Sequence, residues 1–504
     1  MNFTRRDLLK RMAAAPVAAA VTLGRPGALG GEPPPARRPN VLLIITDQQH
    51  AGMLSCAGNL YLKTPNMDGL AQNGIRFERA YCGNPVCLPS RFNMLTGVPP
   101  SCNGIEHNGH GGPVPQSIMR HALGRLFRQA GYETAYGGKT HLPPAEGEPR
   151  KDLVLSYGFD RMISADQREG LADAAAEFLR AEHERPFLLV ASFINPHDIC
   201  FMAIDAHAQA AGKPQDFPAS RRDRECLAEA LKLPQGVSRE EFFARLCPPL
   251  PPNHAIPEGE PEGVELSDWR AFRHYVRRNW TEEDWRMHRW AYARLTERVD
   301  AEIGRVLKAL RESGRQENTL VVLVSDHGDL DSAHRLEHKS QLYEEAVRVP
   351  LIVSWKGVTP PGRADREHLA STGLDLIPTL CDFAGIAVPA ELKGRSLRAL
   401  AEGRGPGLPA AASAQAGAWR ESLVVENEGS RLLLWGRFKY MVYAKGQRRE
   451  QLVDLDRDPG EMKNLALDPA MRGHVLEGRR RLQQWYADHG YKLDPAYVVK
   501  NGGE

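Results

Sequence analysis

Six short polar runs carry most of the chemistry that this sequence could perform. Asp47-Gln48 and Asp326-His327 each follow an apolar stretch, and together they supply carboxylate, amide and imidazole donors. Such a set suits a divalent cation: the oxygens favour Ca²⁺ or Mg²⁺, and a nitrogen ligand would also suit Mn²⁺ or Zn²⁺. Taken singly, an aspartate after a strand is more often a turn or helix cap, so the metal reading rests on two such pairs occurring together. Cys87-Leu88-Pro89-Ser90-Arg91 holds a thiol with no histidine beside it to form a Cys–His nucleophile, and Pro89 interrupts regular structure. Gly138-Lys139-Thr140-His141, Asn195-Pro196-His197-Asp198 and Glu337-His338-Lys339 add ammonium and imidazole groups. Those types stabilise a tetrahedral anion and move a proton near neutrality, although each run alone reads as solvated loop polarity.

To act together these runs must converge. Asn40 to Thr46 is continuously apolar and β-branched, as expected of a strand covered on both faces. Similar runs recur at Phe187 to Phe193, Thr319 to Ser325 and Val349 to Trp355, separated by helical spacing such as Tyr292, Leu295, Val299, Ile303, Val306 and Leu310. The alternation predicts an α/β fold with a large, mainly parallel sheet flanked by helices. Asp47-Gln48, Asn195 to Asp198 and Asp326-His327 then fall just past strand ends, where open α/β sheets bind ligands. From about Val388 the pattern changes to a Gly/Pro/Ala-rich linker (Gly403 to Gly417), short strands near Ser422 to Glu426 and Leu432 to Tyr443, and a helix from about Ala470 to His489. This reads as a smaller α+β C-terminal domain. The expected division is an export signal at 1–30, a catalytic domain at 31–387 and the C-terminal unit at 388–504. A middle insertion, Phe201 to Asn279, with Trp269 and Tyr275, is expected to form a wall facing the substrate.

The 504-residue chain carries 65 Lys+Arg against 63 Asp+Glu, so no global field favours nucleic acid or an anionic membrane, and anion recognition must be local. Thr4-Arg5-Arg6-Asp7-Leu8-Leu9-Lys10 followed by an alanine-rich stretch from Met12 to Leu23 reads as a twin-arginine export signal, with an apolar run too short to span a bilayer. The expected location is periplasmic or extracellular, reached through the twin-arginine export machinery, and the processed protein is not expected to be integral to a membrane. Eight scattered cysteines make no disulfide framework or CxxC zinc pair; a Cys82–Cys102 bridge would be compatible with export.

Cys87-Leu88-Pro89-Ser90-Arg91 resembles the Cys-x-Pro-Ser-Arg signature of type I, formylglycine-dependent sulfatases of the alkaline phosphatase superfamily. The resemblance extends over nearly all of residues 38–465 and includes the late run Leu452 to Ala466, which is taken as architectural. It implies an alkaline phosphatase/sulfatase-like fold and conversion of Cys87 to formylglycine by a formylglycine-generating enzyme. One divalent cation, Ca²⁺ foremost with Mg²⁺ or Mn²⁺ as alternatives, would be held by Asp47, Gln48, residue 87, Asp326 and His327. The hydrated aldehyde is a geminal diol: one hydroxyl attacks sulfur and the other expels sulfate. By the same resemblance, Arg91 holds the modified residue, Lys139 stabilises charge, His141 takes a proton, His197 binds sulfate and protonates the leaving alcohol, and Lys339 grips a sulfate oxygen.

The sequence departs from the family pattern where many sulfatases carry a second Asp and an Asn; here those positions are Gln48 and His327. The same choices occur in relatives that cleave choline sulfate, phosphonate monoesters and phosphate diesters. The leading expectation is an exported sulfuric ester hydrolase acting on a sulfated small molecule or oligosaccharide. A phosphonate monoester hydrolase or phosphodiesterase of the same fold is the second, and a catalytically silent binding protein with unmodified Cys87 the third. Substrate contacts are expected among His107, Asn108, His110, Asp198, His334 and Arg335.

Overall fold

The structure, a computed structural model, describes residues 38–109, 112–148, 153–215, 217, 219–267, 270–404 and 419–500. The export segment, His110, Trp269 and residues 405–417 of the expected linker lie outside the described residues. Arg38–Glu504 cluster as one compact unit.

Along the chain, β1 is Asn40–Asp47, β2 Ile75–Phe77, β3 Ala80–Tyr81, β4 Glu133–Gly138 and β5 Arg161–Ser164. Then come β6 at Phe187–Pro196, β7 at Thr319–Ser325, β8 at Leu351–Ser354, β9 at Arg363–Asp365 and β10 at Ala370–Ser371. One eight-stranded sheet has the order β5-β4-β6-β1-β7-β8-β2-β9, and β3 pairs with β10 separately. β5, β4, β6, β1 and β7 run parallel, whereas β8, from the expected 349–355 run, is antiparallel to both neighbours. The large, mainly parallel sheet expected from the sequence is present.

β1 shows why an unbroken apolar run forms here. Every residue of it is buried, and successive side chains leave opposite faces. Val41, Leu43 and Ile45 join Leu188, Val190, Val322 and Val324 on one face; Leu42 and Ile44 join Leu189, Ala191, Val321 and Leu323 on the other. The second face is covered by the helix Glu282–Glu312, which starts at a Thr281/Asp284 capping box and contributes Val299, Ile303, Val306 and Leu310. The first face receives Leu88, Phe92 and Leu95 of the helix Cys87–Thr96.

β4 was not legible as a strand because it ends in two glycines. A Cβ on Gly137 would come within 2.5 Å of Leu171, and one on Gly138 within 2.0 Å of the Ser192 carbonyl oxygen, with φ at +89°. Close approach to β6 and the left-handed turn into Lys139 therefore both demand glycine at 138.

The C-terminal sheet is an antiparallel meander of β11 Ser422–Asn427, β12 Ser430–Trp435, β13 Phe438–Tyr443 and β14 Glu450–Asp454. The expected strand at 432–443 is two strands, because Gly436, at φ 51°, reverses the chain. The helix Arg472–Asp488 packs Val475, Leu482, Trp485 and Tyr486 into a cluster with this sheet, and Leu330, Leu336 and Tyr343 join the same cluster. The middle insertion forms the helices Cys200–Ala211, Arg221–Ala230 and Ala271–Asn279, tied together by Phe201, Leu227, Phe272 and Val276. All eight cysteines are free, so Cys82 and Cys102 form no bridge; the Cys82 sulfur instead faces the Ala346 carbonyl. Among the described residues, no helix is long and apolar enough to cross a membrane.

Gly138→Ala should lower stability by about 1–3 kcal/mol through forced overpacking and an unfavourable φ. Denaturant unfolding checks it; an unchanged midpoint would show that β4 and β6 separate freely.

Candidate active site

Four adjacent strands, β4-β6-β1-β7, deliver polar residues at one edge of the sheet. Gly138 lies opposite Ser192, Asp47 opposite Pro196, and Thr46 opposite Ser325. Consequently Lys139, His197, Asp47-Gln48 and Asp326-His327 leave the sheet side by side. Cys87 reaches them from outside the sheet as the first residue of its helix, and it is 1% exposed. No side chain caps that helix at Val86, so its N-terminal partial positive charge is directed at residue 87. Asn108 Oδ1 accepts the Leu88 N–H at 3.1 Å, steadying the first turn.

Arg91 follows Cys87 by four residues and so shares its helix face. Its guanidinium donates from Nη2 to Asp47 Oδ2 and from Nε to Asp326 Oδ2, both at 2.8 Å. Nη1 donates to Ser192 Oγ at 2.7 Å and to the Lys139 carbonyl at 3.0 Å. Ser90 Oγ donates to the Asp326 carbonyl at 2.5 Å. Two residues of the Cys-x-Pro-Ser-Arg run therefore fasten the helix to the strand ends.

Around the Cys87 sulfur stand Lys339 Nζ at 2.9 Å, His327 Nε2 at 3.2 Å, Lys139 Nζ at 3.7 Å and Asp47 Oδ1 at 3.9 Å. Lys139 Nζ also lies 2.5 Å from Asp47 Oδ2. Burial opposes charge on the Cys87 sulfur, but Lys139, Lys339 and His327 outweigh it and hold the thiol well below its ordinary pKa. The position is thus built to stabilise a negative atom. Burial and Cys87 push the Asp47 carboxyl up, yet Lys139, His197 and Arg91 prevail and keep it ionised. Asp326, disfavoured by burial and then by Asp47, is raised.

Asp47, Cys87, Asp326 and His327 each offer a ligand atom, all within 4.8 Å of one another and all buried. Two carboxylates and an imidazole, with Arg91 held on their outer oxygens, fit a divalent cation. Gln48, expected among the metal ligands, has its Oε1 accepting from Lys339 Nζ at 2.8 Å and its Nε2 donating to Asp329 Oδ2 at 2.7 Å. In this structure the amide orients Lys339.

The ring of His197, half-buried, has its pKa pushed down to about 4 by burial and by Lys139 and Lys339. It is neutral at pH 7. His141, at φ 41°, faces the same sulfur.

Of the expected substrate contacts, Asp198 is fully buried and held at 2.7 Å by Arg168, which also binds Asp223, so it is a structural anchor. Asn108 serves the Cys87 helix, His107 accepts the Gly109 N–H, and His334 is buried against Tyr343. Arg335 lines a groove with Glu260, Arg277 and Arg448. The insertion does approach the site: Phe272 meets the His338 ring edge-on at 5.7 Å, and Arg270 donates to Ser340 Oγ at 2.7 Å. Asp329, Ser192 and Tyr292, whose hydroxyl donates to the Gln48 carbonyl at 2.5 Å, are supporting residues that sequence reasoning missed. Only the Asp326-His327-Gly328-Asp329 spacing hinted at one of them.

The sulfatase family model matches residues 39–386, and the model of the N-sulphoglucosamine sulphohydrolase C-terminal region matches 332–488. A Delta 4,5-hexuronate-2-O-sulfatase of Bacteroides thetaiotaomicron is 29% identical over 459 residues, covering 89% of each chain. A choline-sulfatase of Rhizobium meliloti is 28% identical over 87% of this chain and 84% of its own. A solved 2-O GAG sulfatase structure superposes with a TM-score of 0.72 at 27% identity, covering 92% of this chain and 98% of that one. With a family model spanning the whole parallel-sheet region and the site built at its strand ends, the chain belongs to the sulfatase family.

Proposed function

We propose that this protein is an exported hydrolase of carbohydrate sulfate esters that uses formylglycine made from Cys87 and one divalent cation. The observation that carries this reading is the residue 87 pocket. Lys139, Lys339 and Arg91 outnumber the two carboxylates there, and His327 and His197 complete the wall. The Cys87 sulfur stands where an oxygen of the hydrated aldehyde would be. That diol supplies a nucleophile that regenerates by collapse to the aldehyde. A bound cation, Ca²⁺ foremost, would be held by Asp47, Asp326, His327 and residue 87, and would offset charge on oxygen.

The chain's own groups divide the remaining work. Lys339, fixed by Gln48, and Lys139, fixed by Asp47, point ammonium groups at the reacting position and favour charge that builds on sulfate oxygens. His141 faces residue 87 and is placed to take a hydroxyl proton from it. His197, between both lysines, gains a proton more readily once an anionic ester is present, and so serves as acid to the leaving alcohol. Arg91 holds both carboxylates and leaves Cys87 at the open end of the helix. The relative that acts on a Delta 4,5-hexuronate 2-O-sulfate supports a sulfated uronic acid as the first substrate to try. The Arg5-Arg6 signal supports export to the periplasm or beyond.

On a panel of sulfated mono- and disaccharides, including unsaturated 2-O-sulfated uronides, the enzyme should release sulfate from at least one. Uniform inactivity, or a large preference for aryl phosphonate or phosphate esters, would sink the carbohydrate sulfate reading. The peptide containing residue 87 should carry an aldehyde by mass, and Cys87→Ala should abolish turnover while folding persists; retained activity would refute the nucleophile. His197→Ala should slow alkyl sulfates far more than activated aryl sulfates, because only the former need protonation. Equal losses across a leaving-group series would remove His197 as the acid.

A further inference from the structure

Behind the loop that delivers Lys339 lies a second group of metal-ligating side chains. His334, Glu345 and Glu461 each offer one ligand atom, all within 4.8 Å of one another. They come from three separate segments: the loop after β7, the first turn of the helix Glu344–Val347, and the chain beyond β14. His334 is fully buried and stacks on Tyr343, with ring centroids 3.9 Å apart. Among the described residues, neither of its ring nitrogens has a hydrogen-bond partner, although both are buried. Glu345 accepts from Asn253 Nδ2 at 2.9 Å through Oε1, while its buried Oε2 has no hydrogen-bond partner among the described residues. Glu461 accepts the Glu344 N–H at 2.6 Å through Oε2, and its Oε1 lies 2.8 Å from Lys439 Nζ.

Folded proteins rarely leave buried polar groups without partners, since each costs about 1–3 kcal/mol. An imidazole with two idle nitrogens, turned toward two carboxylates, is a donor set without its acceptor. Charge points the same way. Among the described residues, Lys439 pairs with Glu344 and Glu461 and Arg348 pairs with Glu344, while Glu345 has no cationic partner. Lys439 also has Glu344, at 3.0 Å, as a partner when Glu461 turns to another cation.

We propose that His334, Glu345 and Glu461 form a second divalent-cation site, of the zinc type, that pins the Lys339 loop to the C-terminal segment. One nitrogen and two carboxylates suit Zn²⁺ or Mn²⁺ better than Ca²⁺, and three protein ligands leave a tetrahedral position for water. The backbone of this loop is unusual. Asp331, Ser332, His334, Arg335, His338 and Ser340 all adopt positive φ, a costly run for residues other than glycine. Its hairpin bonds, Leu330 N to His338 O at 2.8 Å and Ser332 N to Leu336 O at 3.0 Å, hold it locally. A cation on His334 would add a direct tie to Glu461, beside the existing bridge from the His334 N–H to the Asn253 carbonyl at 2.7 Å and from Asn253 Nδ2 to the Gly460 carbonyl at 3.3 Å. The site is independent of which ester the enzyme cleaves.

The full-length protein, stripped with chelator and reloaded with zinc chloride alone, should retain one more zinc ion per chain than His334→Gln or Glu345→Gln by elemental mass analysis. Asp326→Asn should lose a different ion, and the losses should add in the double variant with Glu345→Gln. Zinc should raise the melting temperature of wild type more than that of Glu345→Gln, a half-buried position whose change keeps the fold should His334→Gln fail to express. Equal zinc content in wild type and Glu345→Gln would overturn the proposal and leave a proton as the occupant of the cluster.

Discussion

The site depends on one guanidinium. Asp47 and Asp326 end neighbouring strands and are both fully buried, so their mutual repulsion in a poorly screened interior must be offset within the fold. Arg91 forks between them and simultaneously ties in Ser192 and the Lys139 backbone. Losing one partner of a buried ion pair typically costs about 3–5 kcal/mol, because the other charge stays unpaired. The same contact fixes the Cys87 helix over the strand ends, so the position of residue 87 and the carboxylate pair are set by a single side chain.

Around this fork the charges are arranged for an anion. Lys139 is anchored on Asp47 and Lys339 on Gln48, so neither ammonium is free to turn away from residue 87. Both act on their neighbours: they lower the thiol of Cys87 and the imidazole of His197 together. Burial and the two ammonium groups favour the neutral form of His197.

The surrounding architecture converts a strained loop into a fixed one. Leu330, Leu336 and Tyr343 bury into the apolar cluster of the C-terminal sheet, and Ser340 N–H donates to the Pro85 carbonyl at 3.1 Å, two residues before Cys87. Lys339 is thereby held between the C-terminal unit and the Cys87 helix. This gives the meander of β11 to β14 a role in the site to which it contributes no reacting group.

The sequence by itself determined the continuous apolar strands, the long helix with its three- and four-residue spacing, and the identity of the polar runs, because periodicity and strand-end position are local properties. Pro89 was expected to interrupt regular structure, but it sits in the first turn of the helix Cys87–Thr96, where its missing N–H breaks no helical bond, so the shared face of Cys87 and Arg91 was not foreseen. β4 was hidden, since its two glycines are required by close packing against Leu171 and β6, a condition no local propensity records. Gly436 split an apparent strand for a similarly local reason, a left-handed turn. Only the tertiary structure decided that Gln48 orients Lys339, that Asp198 is spent on Arg168, and that Asp329, Ser192 and Tyr292 support the site. Those assignments join residues distant along the chain, where spacing carries no information and only the packed sheet and its covering loops set which polar atoms meet.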